Sequence, residues 1–85
     1  MDHGIIVYPS IAVANRAKRL ADGRAGSMEV IQLPAGAGMA GCNYSIRCKH
    51  EDIDILRAIG AEHGMQIKAV FLERLQEGKR VYTRI

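Results

Sequence analysis

The chain has 85 residues, 48% of them hydrophobic and 25% charged, with a formal net charge of +3. That is the size and balance of one globular domain over residues 1–85, too small for a deep enclosed active site and without the bias of a disordered segment. No stretch approaches the roughly 18 apolar residues of a membrane span, and Met1-Asp2-His3-Gly4 lacks the basic flank and cleavage site of a signal peptide, so a cytoplasmic protein without membrane partners is expected.

Gly4-Ile5-Ile6-Val7-Tyr8 is a nearly continuous apolar run rich in β-branched residues, the pattern of a strand buried in the middle of a sheet. Pro9-Ser10 ends it, and Ser10 is placed to cap a helix from about Ile11 to Asp22 whose Val13, Ala17 and Leu20 keep a helical rhythm. Gly23 and Gly26 stop that helix. Ser27 to Leu33 reads as the second strand, Pro34 closes it, and a glycine-rich run to Asn43 leads into a third strand, Tyr44 to Lys49. The second helix is expected from about Glu51 to His63, with Glu51, Asp52 and Asp54 in its first turn and Gly64 as its C-cap. Ile67 to Leu72 is the fourth strand. Glu77-Gly78 is a turn signal ahead of the alternating Arg80 to Ile85, which allows a short fifth strand at the C-terminus folding back on the fourth.

Strand, helix, strand, strand, helix, strand is the split β-α-β, ferredoxin-like βαββαβ pattern. It predicts an α+β sandwich with an antiparallel sheet in the order 4-1-3-2 and both helices on one face. The other face would then be exposed in so small a domain, and a first strand apolar on both sides makes a homodimer an expectation.

Alternation along the third strand points Tyr44, Ile46 and Cys48 one way and Ser45, Arg47 and Lys49 the other, so Cys48 is expected in the core. Arg47 reads first as a solvated surface charge and second as a helper for a bound anion. Cys42 ends the run Pro34-Ala35-Gly36-Ala37-Gly38-Met39-Ala40-Gly41 and stands just before the third strand, where a small domain can display a thiol. The plainer reading of the same residues is a flexible connector carrying an idle cysteine. An extended segment between Cys42 and Cys48 spans about 20 Å, beyond a disulfide. His3, His50 and His63 are scattered, no Cys-x-x-Cys is present, and neither a metal site nor a cofactor is expected. Gly36-x-Gly38-x-x-Gly41 leads into a strand and so is not a dinucleotide fingerprint. The basic residues Arg16, Lys18, Arg19 and Arg24 read as the solvated face of a helix, and nucleic acid is not the expected partner. In the expected topology the glycine loop lies beside Pro9-Ser10 and the N-terminus of the first helix, whose free amides and dipole favour a thiolate at Cys42.

Tyr8-Pro9-Ser10 at the end of the first strand, Ala14 and Ala17 in the helix, Leu33-Pro34 opening the loop, Gly41-Cys42 before the third strand and the acidic start of the second helix together resemble the selenium/sulfur carrier-like family of small bacterial proteins, over about residues 4 to 72. Where that family reads Cys-Gly, this chain has Cys42-Asn43. The resemblance implies a non-enzymatic carrier or accessory protein that holds a persulfide or selenopersulfide on Cys42. Ser10, Gly41 and Asn43 would be the binding residues around it, and donor and acceptor enzymes its partners. The competing class is a small binding or regulatory module whose glycine loop grips a small anion or a protein, with Cys42 incidental.

Overall fold

The computed structural model of the protein describes residues 2–39 and 43–85. Its centre is β1 (His3–Tyr8), hydrogen-bonded on one side to β3 (Tyr44–Lys49) and on the other to β4 (Ala69–Gln76), both antiparallel. The edges are β2 (Met28–Gln32), paired with β3, and β5 (Lys79–Arg84), paired with β4, which gives the order β2-β3-β1-β4-β5. The first four strands thus run in the expected 4-1-3-2 order, read from the β4 side, and the fifth strand is present as an added edge. Its two-residue turn has Glu77 at φ 51° and Gly78 at φ 78°, the positive pair that lets a tight hairpin follow the twist of its strands.

Two helices cover one face. Helix α1 (Ile11–Ala21) starts at Ser10, whose Oγ accepts the Val13 N–H at 3.3 Å, and α2 (Ile53–His63) ends at Gly64. Ala14, Ala17 and Ala21 of α1 and Ile53, Leu56 and Ile59 of α2 pack with Ile6, Tyr8, Ile46, Cys48 and Val70 in one core. The small residues of α1 let the helix lie close on the sheet, and the larger ones of α2 fill the remaining depth.

Some boundaries differ from expectation. A short 3-10 turn, His50–Asp52, precedes α2. Asp52 does not sit in solvent at a helix start: its Oδ2 accepts the Gly26 N–H at 3.0 Å, tying the chain after α1 to the end of β3. Strand β4 begins at Ala69 and runs on through Glu73 and Arg74 to Gln76, because β5 continues its pairing beyond the apolar run that marked it in sequence.

The larger correction concerns the second face. Ile5, Val7, Ala69 and Phe71 form a separate buried cluster, covered by Ile31, Leu33, Ala37, Met39 and Tyr82. The chain itself closes that face, with the first part of the glycine-rich run and with β5, so the apolar first strand gives no reason to expect a homodimer. A single 3-10 turn, Ala35–Ala37, helps fold the run over the sheet. A Cβ on Gly36 would come within 3.2 Å of the Tyr82 ring, so a larger residue here requires Tyr82 to give way by a few tenths of an ångström.

Cys48 lies in the helix-side core, as its alternation requires. Burial, with the Asp52 charge adding to it, pushes its thiol up to about 12 against an opposing hydrogen bond from the Gly4 backbone. Burial also raises the Tyr8 phenol. Both groups are neutral when folded and ionise more easily when unfolded, so their contribution is complete below the free thiol value of about 8.5 and is lost as pH rises toward the folded values. Native-state alkylation at pH 8 should therefore leave Cys48 unlabelled. The denaturation midpoint should fall between pH 9 and 11, less steeply in Cys48→Ala; an equal slope in the variant would contradict the burial assigned to Cys48. Gly4 is the matching constraint, since a Cβ there would collide with Ile53 and come within 3.2 Å of Cys48 Sγ. Gly4→Ala should cost about 1–3 kcal/mol by chemical denaturation, and a neutral result would contradict this packing.

Candidate functional site

Two of the sequence-predicted residues, Ser10 and Asn43, lie beyond the end of the sheet where β1 stops. Tyr8 pairs with Tyr44, and Tyr44 with Gln32, so β1, β2 and β3 come level there. One residue further on, the Leu33 N–H donates to the Asn43 carbonyl at 2.8 Å. On the β1 strand the chain passes through Pro9 into Ser10 and α1. Asn43 and Ser10 thus leave the sheet at the same end. The loop divides, however. Its first part, through Met39, packs on the face away from the helices, and Asn43 is hydrogen-bonded to Leu33 at the end of β2. Gly41 and Cys42 lie outside the described residues.

Asn43 is 5% exposed, and its Oδ1 accepts a hydrogen bond from Lys68 Nζ at 2.8 Å. Lys68 stands just ahead of β4, where its backbone N–H donates to the Val7 carbonyl at 2.8 Å and its carbonyl accepts from Arg84 Nη2 at 3.5 Å. The side chain of a lysine on the surface is thereby directed onto the residue that follows Cys42. Sequence reasoning passed over Lys68. It is the one charged residue in Ile67 to Leu72, but its partner is 25 residues away in the chain, and no local pattern joins the two.

Ser10 is engaged as the helix cap described above, which uses its oxygen as an acceptor and leaves its O–H proton available for a second contact. No acidic residue occupies the first turn of α1, so nothing there offsets the positive end of its dipole.

At the opposite end of the same sheet face lies a second polar group. Glu73 is 3% exposed, and Arg47 reaches across β1 to place Nη2 at 2.7 Å from its Oε1. His3 Nδ1 lies 3.9 Å from the same oxygen, and Glu29 Oε1 lies 3.8 Å from Arg47 Nη1. Tyr82, opposite Glu73 in the β4–β5 register, has its phenol raised by burial and then by its hydrogen bond to Glu73 and the charge there, against Arg80 and Arg47. Arg47 is therefore not a free solvated charge. It neutralises a carboxylate that the sheet buries. Among the described residues no group of His, Cys, Asp and Glu gathers as metal ligands, and no helix is long and apolar enough to cross a membrane.

The family model described as "Putative Se/S carrier protein-like" matches residues 3–72, and the chain belongs to that family. The match runs from the start of β1 into β4 and includes the glycine-rich run, Cys42 and Lys68, leaving Glu73 and β5 beyond it. Comparisons with curated proteins and with solved structures return no match.

Breaking the Arg47–Glu73 pair strands a buried charge. Arg47→Met should cost about 3–5 kcal/mol in denaturant unfolding, and combining it with Glu73→Leu should recover most of that loss. A single-variant cost below about 0.5 kcal/mol, the level of an ordinary surface substitution, would show that the pair does not close this face.

Proposed function

We propose that this protein is a sulfur or selenium carrier that holds a persulfide or selenopersulfide on Cys42 and passes it between a donor and an acceptor enzyme in the cytoplasm. The observation that carries this reading is the match to a Se/S carrier family across the segment containing Gly41-Cys42. The strand order and the helix-side core support a ferredoxin-like reading of the domain. In this reading the sheet serves as a rigid platform and the chemistry stays with one thiol at its end. We assign Ser10, Gly41 and Asn43 to the shell around that thiol.

The transfer needs no external oxidant. The Cys42 thiolate attacks the outer sulfur or selenium atom of a donor persulfide, R–S–SH or R–S–SeH. A bond forms from Cys42 to that atom as the donor's bond to it breaks, and the donor sulfur leaves as a thiolate with the electron pair. In delivery the acceptor's nucleophile attacks the same outer atom, and Cys42 leaves as a thiolate. Both steps reward a stabilised Cys42 anion, as attacking group first and as leaving group second. Backbone N–H groups of the loop and the N-terminus of α1 are suitable stabilisers.

Cys42→Ser should abolish the gain of one sulfur or selenium atom from a cysteine-desulfurase-type donor, read by intact mass, with unfolding stability within about 0.5 kcal/mol of the parent. Cys48→Ala should still accept the atom. Normal acceptance by Cys42→Ser, or no acceptance by the parent protein, would overturn the carrier reading and favour the glycine loop as a binding surface for a small anion or a protein.

A further inference from the structure

We propose that the outer edge of β5 is a docking site for an extended acidic segment of a partner protein, which adds to the sheet there as a further antiparallel strand. β5 ends the sheet order, and β1 pairs with β4 only as far as Glu73, so beyond that point the β4–β5 hairpin stands clear of the other strands. The Ile85 N–H donates to the Val70 carbonyl at 2.9 Å, in register with the Gln76 and Lys79 pair that closes the turn. Antiparallel pairing alternates hydrogen-bonded and non-hydrogen-bonded residues. Lys79, Val81 and Thr83 therefore bond to β4, while Arg80, Tyr82 and Arg84 turn their backbone N–H and C=O groups to the free edge. Among the described residues no strand pairs with that edge.

The side chains along the edge define the partner. β5 carries Lys79, Arg80 and Arg84 and no acidic residue. Among the described residues none of the three is in an ion pair, since on β4 Glu73 is taken by Arg47 and Arg74 by Asp2 at 3.4 Å. Leu75, Val81 and Ile85, exposed by 68%, 40% and 53%, are three of the four large hydrophobic residues left exposed among those described, and all belong to this hairpin or its end. Charges alone would serve to guard an edge against aggregation, but exposed aliphatic residues beside them do the opposite and fit a partner. An added strand sets carboxylates opposite Arg80 and Arg84 on one face and aliphatic side chains beside Val81 on the other, and opposite charges facing across strands are favourable. The same rule disfavours a second copy of this chain, because pairing two β5 edges about Tyr82 puts Arg80 of one copy opposite Arg84 of the other. A nucleic acid would meet the cations but leave the peptide edge unpaired, and Tyr82 is packed at Gly36 and hydrogen-bonded to Glu73 instead of being free for stacking.

The probe is a fluorescein-labelled peptide of alternating glutamate and valine, titrated with the full chain and read by anisotropy. Binding should saturate below about 1 mM, and the same peptide with lysine in place of glutamate should not bind. Arg80→Gln combined with Arg84→Gln should weaken binding about tenfold through the loss of two cross-strand charge pairs. Arg80→Gln alone, which removes an exposed side chain and leaves the Arg84 bond to the Lys68 carbonyl in place, should weaken it about threefold. In the antiparallel register the glutamates lie opposite Arg80, Tyr82 and Arg84 and point their N–H groups at β5. N-methylation of the glutamates should therefore abolish binding, whereas N-methylation of the valines, whose N–H groups point away, should preserve it. Equal binding of the two methylated peptides would reduce the contact to ionic attraction and overturn strand addition. Failure to saturate, unchanged affinity in both arginine variants, or tighter binding of a single-stranded oligonucleotide of equal charge would also overturn it.

Discussion

The burial of β1 on both faces is the constraint from which the rest of the structure follows. Ile5, Ile6, Val7 and Tyr8 are each no more than 1% exposed, although the domain has only 85 residues with which to cover them. Each such side chain contributes about 1.5–3 kcal/mol when fully withdrawn from water, so leaving either face open would forfeit a large part of a small domain's stability. The two helices can cover only the face presented by Ile6 and Tyr8. The other face, presented by Ile5 and Val7, is left to the glycine-rich run and to the added strand β5.

That division explains why the loop has its composition. Its first part must lie flat on a sheet and pass against Tyr82, which Gly36 permits, while Leu33, Ala37 and Met39 supply the apolar cover. The cover reaches only the half of the face nearest the end of β1. Toward the other end the sheet closes with Arg47 and Glu73, an ion pair spanning the central strand and bordered by His3, Glu29 and Tyr82. Tyr82 takes part in both halves. The loop that leads to Cys42 is therefore part of the protein's second core in its first half, and meets the sheet again at Asn43, where Lys68 is held.

The architecture was legible in the sequence because its signals are local. β-branched residues mark β1, Ser10 and Gly64 bound the helices, and the alternation of Tyr44 to Lys49 places Cys48 in the core. The closing of the second face was not legible, since glycine-rich runs read as connectors and their packing depends on residues such as Tyr82 that are distant in the chain. The two polar arrangements were hidden for the same reason. Arg47 looked solvated because Glu73 lies on another strand, and Lys68 looked ordinary because its partner Asn43 is contributed by the start of β3. Cys42 stood out on sequence as the residue of interest, and it lies outside the described residues.

The proposed function gives one thiol to sulfur or selenium transfer and leaves the other to the core. Mass spectrometry of the purified, unreduced protein with peptide mapping separates the two roles. An added sulfur or selenium atom is expected on the peptide containing Cys42, with Cys48 unmodified. An unmodified Cys42 thiol accompanied by a co-purified ligand would contradict it.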